Sequence, residues 1–158
     1  MSGLPSNHFY MKIILILLLA VALVGCTFRS VSHDPSTAAM AANVFLKALY
    51  IEHDYDRALM LSDESLRRMV TSDKLAELVK VVDDNCGELK QLQADSYAKG
   101  QDLTLELFYT ATCEKKTLYH RLVMVGDVSK GYRTAGVWFQ DAPYPGNRPK
   151  FKNGIVVQ

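Results

Sequence analysis

Three side chains of this sequence, Tyr50, Tyr109 and His120, are suited to acid–base chemistry or to ligand binding in an apolar pocket. A histidine base works well beside tyrosine hydroxyls in such a pocket, because burial shifts its pKa and strengthens its hydrogen bonds. The apolar strand face that carries Tyr109 holds no Asp or Glu, so proton abstraction would rest on His120 with Tyr109 as donor. A lone histidine on a strand is more often structural, and we assign no catalytic residue. Together with Trp138, the three are predicted to line a ligand pocket.

The stretch Glu52-His53-Asp54-Tyr55-Asp56 concentrates side chains that ligate metals. It lacks both the i, i+4 histidine pair of zinc sites and the twelve-residue, glycine-containing loop of calcium sites. A turn between two helices, in which Asp54 caps the second helix, explains the same residues. The sequence also has no glycine-rich phosphate loop and no nucleophile elbow, so we predict no metal and no cofactor.

The first 25 residues have the pattern of an export signal. Lys12 precedes a thirteen-residue apolar run, Ile13 to Gly25, which is too short for a spanning helix but has the length of a signal-peptide core. The sequence Leu23-Val24-Gly25-Cys26 resembles the bacterial lipobox, whose cysteine becomes the new N-terminus and carries lipid. We therefore predict a signal peptide over residues 1–25, with Met11 as an alternative start. An uncleaved anchor with Cys26 as an ordinary thiol is the other interpretation.

The lipobox resemblance implies that Cys26 carries a diacylglyceryl thioether and an N-acyl chain, and two or more such chains anchor a protein stably. Thr27 stands where an inner-membrane retention signal would show Asp, which favours the outer membrane, facing the periplasm. The 18 basic and 17 acidic residues balance, and this excludes a nucleic-acid binder held by bulk charge. The expected partners are the lipid membrane, through Cys26, and a protein partner or a small apolar ligand; a homodimer is a further option.

Lipidation of Cys26 leaves Cys86 and Cys113 as a pair in an oxidising compartment. The sequence has no C-x-x-C motif of the redox-active type, and no histidine stands at metal-ligand spacing from either cysteine. We predict a structural disulfide between Cys86 and Cys113, and two buried thiols are the alternative.

The elements that must position these side chains begin with helices. A tether over residues 26–35 precedes a domain over residues 36–142. Ser36 or Thr37 is predicted to cap a helix that runs to about residue 52, and a short helix follows over residues 57–61. A third helix begins near residues 71–73, ends at Gly87, and carries an apolar stripe at Leu75, Leu78, Val79, Val82 and Cys86.

From residue 88 the apolar period changes to two, which is typical of half-buried strands. Strands are predicted over residues 89–98, 103–113, 118–128 and 132–140, and their short connections require antiparallel neighbours. Residues 143–158 are rich in proline and basic side chains, and a flexible tail is the predicted structure. The fold class is therefore α+β, with N-terminal helices packed on a curved four-stranded antiparallel sheet.

The order of elements, the Asp54-Tyr55-Asp56 turn, Gly87, Gly131-Tyr132-Arg133 and Trp138-Phe139 resemble the nuclear-transport-factor-two-like, or cystatin-like, superfamily, and especially its small secreted bacterial lipoproteins. This resemblance covers about residues 36–141 and implies a sheet that wraps the helices into a conical pocket.

Three functions fit the sequence. The first is a non-catalytic, membrane-anchored periplasmic binding or interaction module. The second is a small lyase or isomerase that uses His120 and Tyr109, since enzymes of the superfamily place a base and tyrosine donors in an apolar cone. The third is a structural subunit of an envelope or secretion assembly, in which a flat sheet face dimerises.

Overall fold

The computed structural model describes residues 32–100 and 104–158. The predicted signal peptide, Cys26 and most of the predicted tether lie outside these ranges. Within them the protein is α+β, as predicted, with four helices that precede five strands. No helix of the described ranges has both the length and the apolar character needed to cross a bilayer.

The first helix, α1, covers Pro35–Leu46 and continues as a π-helical segment, Lys47–Ile51. Its N-cap is Asp34, two and three positions before the predicted caps Ser36 and Thr37. The Asp34 carboxylate accepts hydrogen bonds from the Ser36 amide at 3.0 Å and from the Thr37 hydroxyl at 2.5 Å. Pro35 suits the first helical position, where no amide donor is needed. The second helix, α2, covers Tyr55–Met60 and is capped by Asp54 as predicted.

Two further helices complete the helical part of the described chain. Helix α3, Glu64–Met69, was not predicted from the sequence. Helix α4, Ser72–Cys86, is capped by Thr71 and ends at Gly87, whose φ of 73° favours glycine. Its buried positions match the predicted stripe except for Leu78, which is only partly buried; they are Leu75, Val79, Val82 and Cys86.

The strands are β1 (Leu89–Lys99), β2 (Thr104–Cys113), β3 (Thr117–Asp127), β4 (Gly131–Gln140) and β5 (Lys150–Val156). They form one antiparallel sheet in the order β4-β3-β2-β1-β5. Alternate residues of the central strands point into the core against the helices, as the period of two requires, and among them are Leu105, Leu107, Tyr109, Leu118, His120 and Leu122. The outer edge of β4 is met by the segment between α2 and α3, where Ser62 forms a bridge with Thr134.

The prediction of four strands is wrong, because residues assigned to a flexible tail form β5 along the free edge of β1. The prolines lie before this strand rather than within it, so they do not interrupt its hydrogen bonds. Phe151 and Ile155 pack against the core from β5, and the Phe151 ring lies 5.2 Å from that of Tyr97. An edge strand needs hydrogen bonds on one side only, which is why a short and polar sequence suffices here.

Strands β4 and β5 run in the same direction at opposite edges of the sheet, so residues 141–149 must cross the sheet between them; we call this segment the strap. It lies on the face opposite the helices. The Arg148 guanidinium lies 3.9 Å over the ring of Phe108 in β2, and its nitrogens donate to the carbonyls of Pro145 and Tyr144 at 2.6 and 2.7 Å. The ring of Tyr144 lies 5.5 Å from that of Phe108.

Replacing Arg148 by alanine is expected to lower the free energy of unfolding by about 2 kcal/mol, because hydrogen bonds from a charged donor and a cation–π contact are lost together. Urea unfolding measures the change, and hydrogen exchange of the Tyr97 amide, which donates to the Pro149 carbonyl at 3.1 Å, reports release of the strap. Lys152→Ala, on exposed β5, is the control and should change stability little. An Arg148→Lys variant as stable as the original protein would contradict the role given to the guanidinium fork.

Candidate functional site

Two of the four predicted pocket residues, Tyr50 and His120, are in direct contact inside the core. The Tyr50 hydroxyl oxygen lies 3.0 Å from Nε2 of His120, and the two rings meet edge-on with centroids 5.4 Å apart. Tyr50 is presented by the π-helical segment that follows α1, a local geometry frequent at functional sites. His120 is presented by the inward face of β3 and is 1% exposed.

Burial fixes the charge state of this pair. Removal from water lowers the pKa of His120 to about 4, because the apolar surroundings disfavour the imidazolium. Burial also raises the pKa of the Tyr50 hydroxyl, and the nearby negative charge of Asp83 raises it further. Both side chains are therefore neutral at pH 7. Whichever way their hydrogen bond runs, Nδ1 of His120 has no hydrogen-bond partner among the described residues.

A small cavity borders the pair, and its volume is about 10 Å³. A single water molecule needs roughly 10–15 Å³, so the cavity is of the size of one water and has no room for an organic substrate. The residues that line it come from the π-helical segment after α1, from the end of α4, and from strands β1, β2 and β3. They are Tyr50, Val82, Asp83, Gly87, Leu89, Leu92, Cys113 and His120.

A wider groove opens directly above this cavity, because the two share Tyr50, Asp83, Gly87 and Leu89 among their lining residues. Its volume is about 500 Å³, within the range of small-molecule sites. The other lining residues are Ile51, His53 and Glu88. The groove therefore combines apolar side chains, two carboxylates and Tyr50, which is the one member of the Tyr50–His120 pair among its lining residues.

The two carboxylates of the groove differ in their surroundings. Glu88 forms an ion pair with Lys90, with 2.5 Å between Oε2 and Nζ. Asp84, the neighbour of Asp83 that does not line the groove, forms an ion pair of 2.8 Å with Lys80. The side chain of Asp83 has neither a salt bridge nor a hydrogen bond to any residue that the structure describes. Asp83 thus brings to the groove a carboxylate that forms no ion pair with another described residue.

Sequence reasoning missed Asp83, because it looked for a carboxylate on the strand face that carries the leucines. Asp83 comes instead from α4, one position after the buried Val82 and three before Cys86. A residue at that place on a helix lies at the border of the buried face. The predicted disulfide between Cys86 and Cys113 was the signal in the sequence that could have located Asp83, because it brings the end of α4 to the end of a strand.

Tyr109 and Trp138, the other two predicted pocket residues, line neither the small cavity nor the groove. The Tyr109 hydroxyl donates to Oδ1 of Asn43 at 2.9 Å, and this hydrogen bond ties α1 to the sheet. Burial raises the pKa of the hydroxyl, so it stays protonated. Trp138 lies on the opposite face of the sheet, 46% exposed, with the guanidinium of Arg121 4.6 Å from its ring centroid. The bulge between β3 and β4 places Phe139 inward instead, 6.0 Å from the ring of His120.

Cys86 and Cys113 are bonded to each other, with 5.4 Å between their Cα atoms. The bond ties the last residue of α4 to the last residue of β2. Because Cys113 lines the cavity and Gly87 lines the groove, the bond fixes the wall that both share.

Groups of three or more His, Cys, Asp or Glu side chains with metal-binding geometry do not occur among the described residues. In particular, Nδ1 of His53 pairs with the Tyr55 hydroxyl at 3.2 Å, and Asp54 is engaged as the cap of α2 through the Arg57 amide.

Comparisons of the chain with protein-family models, with curated proteins and with solved structures find no match.

Proposed function

We propose that this protein is a lipid-anchored, non-catalytic binding module of the bacterial cell envelope, which holds a small ligand in the groove above Tyr50 and His120. The observation that carries the proposal is the groove itself: about 500 Å³ of open volume, lined by Tyr50, whose hydroxyl contacts the buried His120 beneath it. Concave sites with apolar walls and a few polar groups are where small molecules bind.

The arrangement of elements supports a cystatin-like fold as part of the same proposal. Helices precede the strands in the described chain, they pack on one face of an antiparallel sheet, and the groove lies where the end of α4 and the segment after α1 meet that face. This is the place at which a conical pocket of that superfamily would open.

The geometry of the pair favours binding over turnover. A catalytic histidine works best with a pKa near the operating pH, whereas burial lowers that of His120 to about 4. The space beside it, about 10 Å³, excludes a substrate unless Tyr50 moves. The lyase or isomerase alternative therefore has less support than the binding module.

The path of the strap also bears on the alternative of a structural subunit that dimerises through a flat sheet face. The strap crosses the face opposite the helices, where Arg148 and Tyr144 cover Phe108. The area left for a flat, sheet-on-sheet contact is reduced accordingly.

The anchor is tested by a native mass spectrum of the full chain extracted from bacterial membranes in detergent. We expect a chain that begins at Cys26, carries the mass of its acyl groups, and is a monomer. A matched Cys26→Ser variant should stay unacylated and should not be anchored in the membrane by lipid. An unmodified thiol at Cys26 would contradict the anchor, and a fixed homo-oligomer would favour the structural subunit.

A further inference from the structure

We propose that the ligand of the groove is a small organic cation, namely a primary ammonium group on a short apolar stem, and that Asp83 binds its charge. This inference rests on the proposed function and names the ligand class for the same site. Asp83, Tyr50, Ile51 and Leu89 carry the argument, and they lie together on the groove wall.

The first step concerns charge. Two carboxylates line the groove, and the charge of Glu88 is compensated by Lys90. Asp83 has no such partner within the described chain, and no Lys or Arg lines the groove. Asp83 is exposed to solvent, so its attraction for a cation is that of a surface ion pair and is modest. The groove therefore favours a positively charged ligand over a neutral or negative one.

The second step concerns the floor, and it is independent of the carboxylates. Tyr50 lines the groove together with Asp83, and an ammonium group placed over its ring face would gain a cation–π contact. His120 lies beneath Tyr50, is 1% exposed, and lines the small cavity rather than the groove. Because burial keeps this histidine uncharged at pH 7, it adds no positive charge beneath the groove that would repel an ammonium group.

The third step concerns the stem. Ile51, which is 49% exposed, and Leu89 give the groove apolar surface at its wall. Burying an alkyl stem against them strengthens binding about fourfold for each methylene that is fully removed from water, so a stem of a few carbons adds useful affinity. A bare inorganic cation would leave this surface in contact with water.

The test is an NMR titration of the ¹⁵N-labelled full chain in detergent micelles at pH 7.5 and constant ionic strength. The probes are n-butylammonium, n-butanol and butyrate, which share a stem and differ in charge. We expect n-butylammonium to shift the backbone amides of Ile51, Gly87 and Leu89 with saturation, and n-butanol to bind about tenfold more weakly, since it lacks both charge interactions. Asp83→Asn should weaken n-butylammonium binding about three- to fivefold.

Asp84→Asn is the matched control, because Asp84 is adjacent in sequence, carries the same charge and is held by Lys80 outside the groove. It should leave the affinity unchanged. Equal binding of the three probes, or equal effects of Asp83→Asn and Asp84→Asn, would overturn the cation preference while the groove remained a binding site. If none of the probes shifts the groove amides, the groove is not a ligand site and the proposed function fails as well.

Discussion

Replacing Cys86 and Cys113 together by alanine is expected to lower the free energy of unfolding by about 3.5 kcal/mol. The two residues are 27 positions apart, and the estimate follows from the conformational entropy that a closed loop of this length removes from the unfolded chain. This is a large part of the 5–15 kcal/mol that typically stabilises a domain. Equilibrium urea unfolding of the double variant and of the unchanged protein measures the difference.

Reduction of the unchanged protein provides the control, because it opens the bond without altering either side chain. Reduced protein and double variant should unfold at similar urea concentrations, both well below the oxidised form. The loss should also reach the groove, since the bond holds Gly87 and Cys113 at their shared wall. Two free thiols in protein isolated from the periplasm, or a midpoint indifferent to reductant, would contradict the prediction.

Acid is expected to destabilise the protein by about 3 kcal/mol through His120 alone. Its pKa is about 4 in the folded protein and 6.5 in an unfolded chain. Between these values the unfolded state takes up a proton that the folded state does not bind, so acid favours unfolding. The contribution is almost absent above pH 6.5, grows as the pH falls, reaches about 3 kcal/mol at pH 4, and levels off below that pH.

The measurement compares unfolding free energies at pH 7 and pH 4 for the protein and for a Tyr50→Phe/His120→Leu double variant. Removing both partners of the hydrogen bond leaves no unsatisfied group, so stability at pH 7 should change little. The variant should lose about 3 kcal/mol less in acid. Asp34, Asp63 and Asp127, whose pKa values are lowered by hydrogen bonds, contribute to acid sensitivity in both proteins and cancel in the comparison.

A control on an exposed histidine separates burial from histidine content. His53 has a left-handed backbone, with a φ of 51°, and asparagine tolerates that conformation well. His53→Asn should retain the full loss of stability in acid. An NMR titration in which His120 protonates near pH 6.5 would contradict the buried, uncharged state.

The strong periodicities of the sequence predicted most of the fold, and the weak ones failed. The period of two in β2 and the stripe of α4 extend over ten residues or more, so several buried side chains support each assignment. Helix α3 spans six residues, with Leu66 as its buried side chain, and leaves too short a pattern to recognise. Strand β5 pairs with β1 across the chain, and local propensity does not report such distant pairing.

The sequence predicted some of the residues of the site, but it did not predict how these residues are arranged in space. Tyr50 and His120 were both candidates, yet their contact depends on the π-helical segment, which shifts Tyr50 relative to a regular helix. A bulge between β3 and β4 changes the alternation of side chains, so that Phe139 rather than Trp138 lies beside His120. Asp83 enters from a helix, and its approach to the sheet depends on tertiary packing.

The strand edges described above decide how this sheet meets other chains. An unpaired strand edge is a template for β-sheet growth from one molecule to the next. The Ser62 bridge blocks part of the β4 edge, and β5 covers part of the β1 edge. The new edge that β5 exposes carries Lys150 and Lys152, charged residues that resist further pairing. The C-terminal segment thus protects the sheet against edge-to-edge aggregation, and such protection would matter most if the proposed lipid anchor concentrates the protein on a membrane surface.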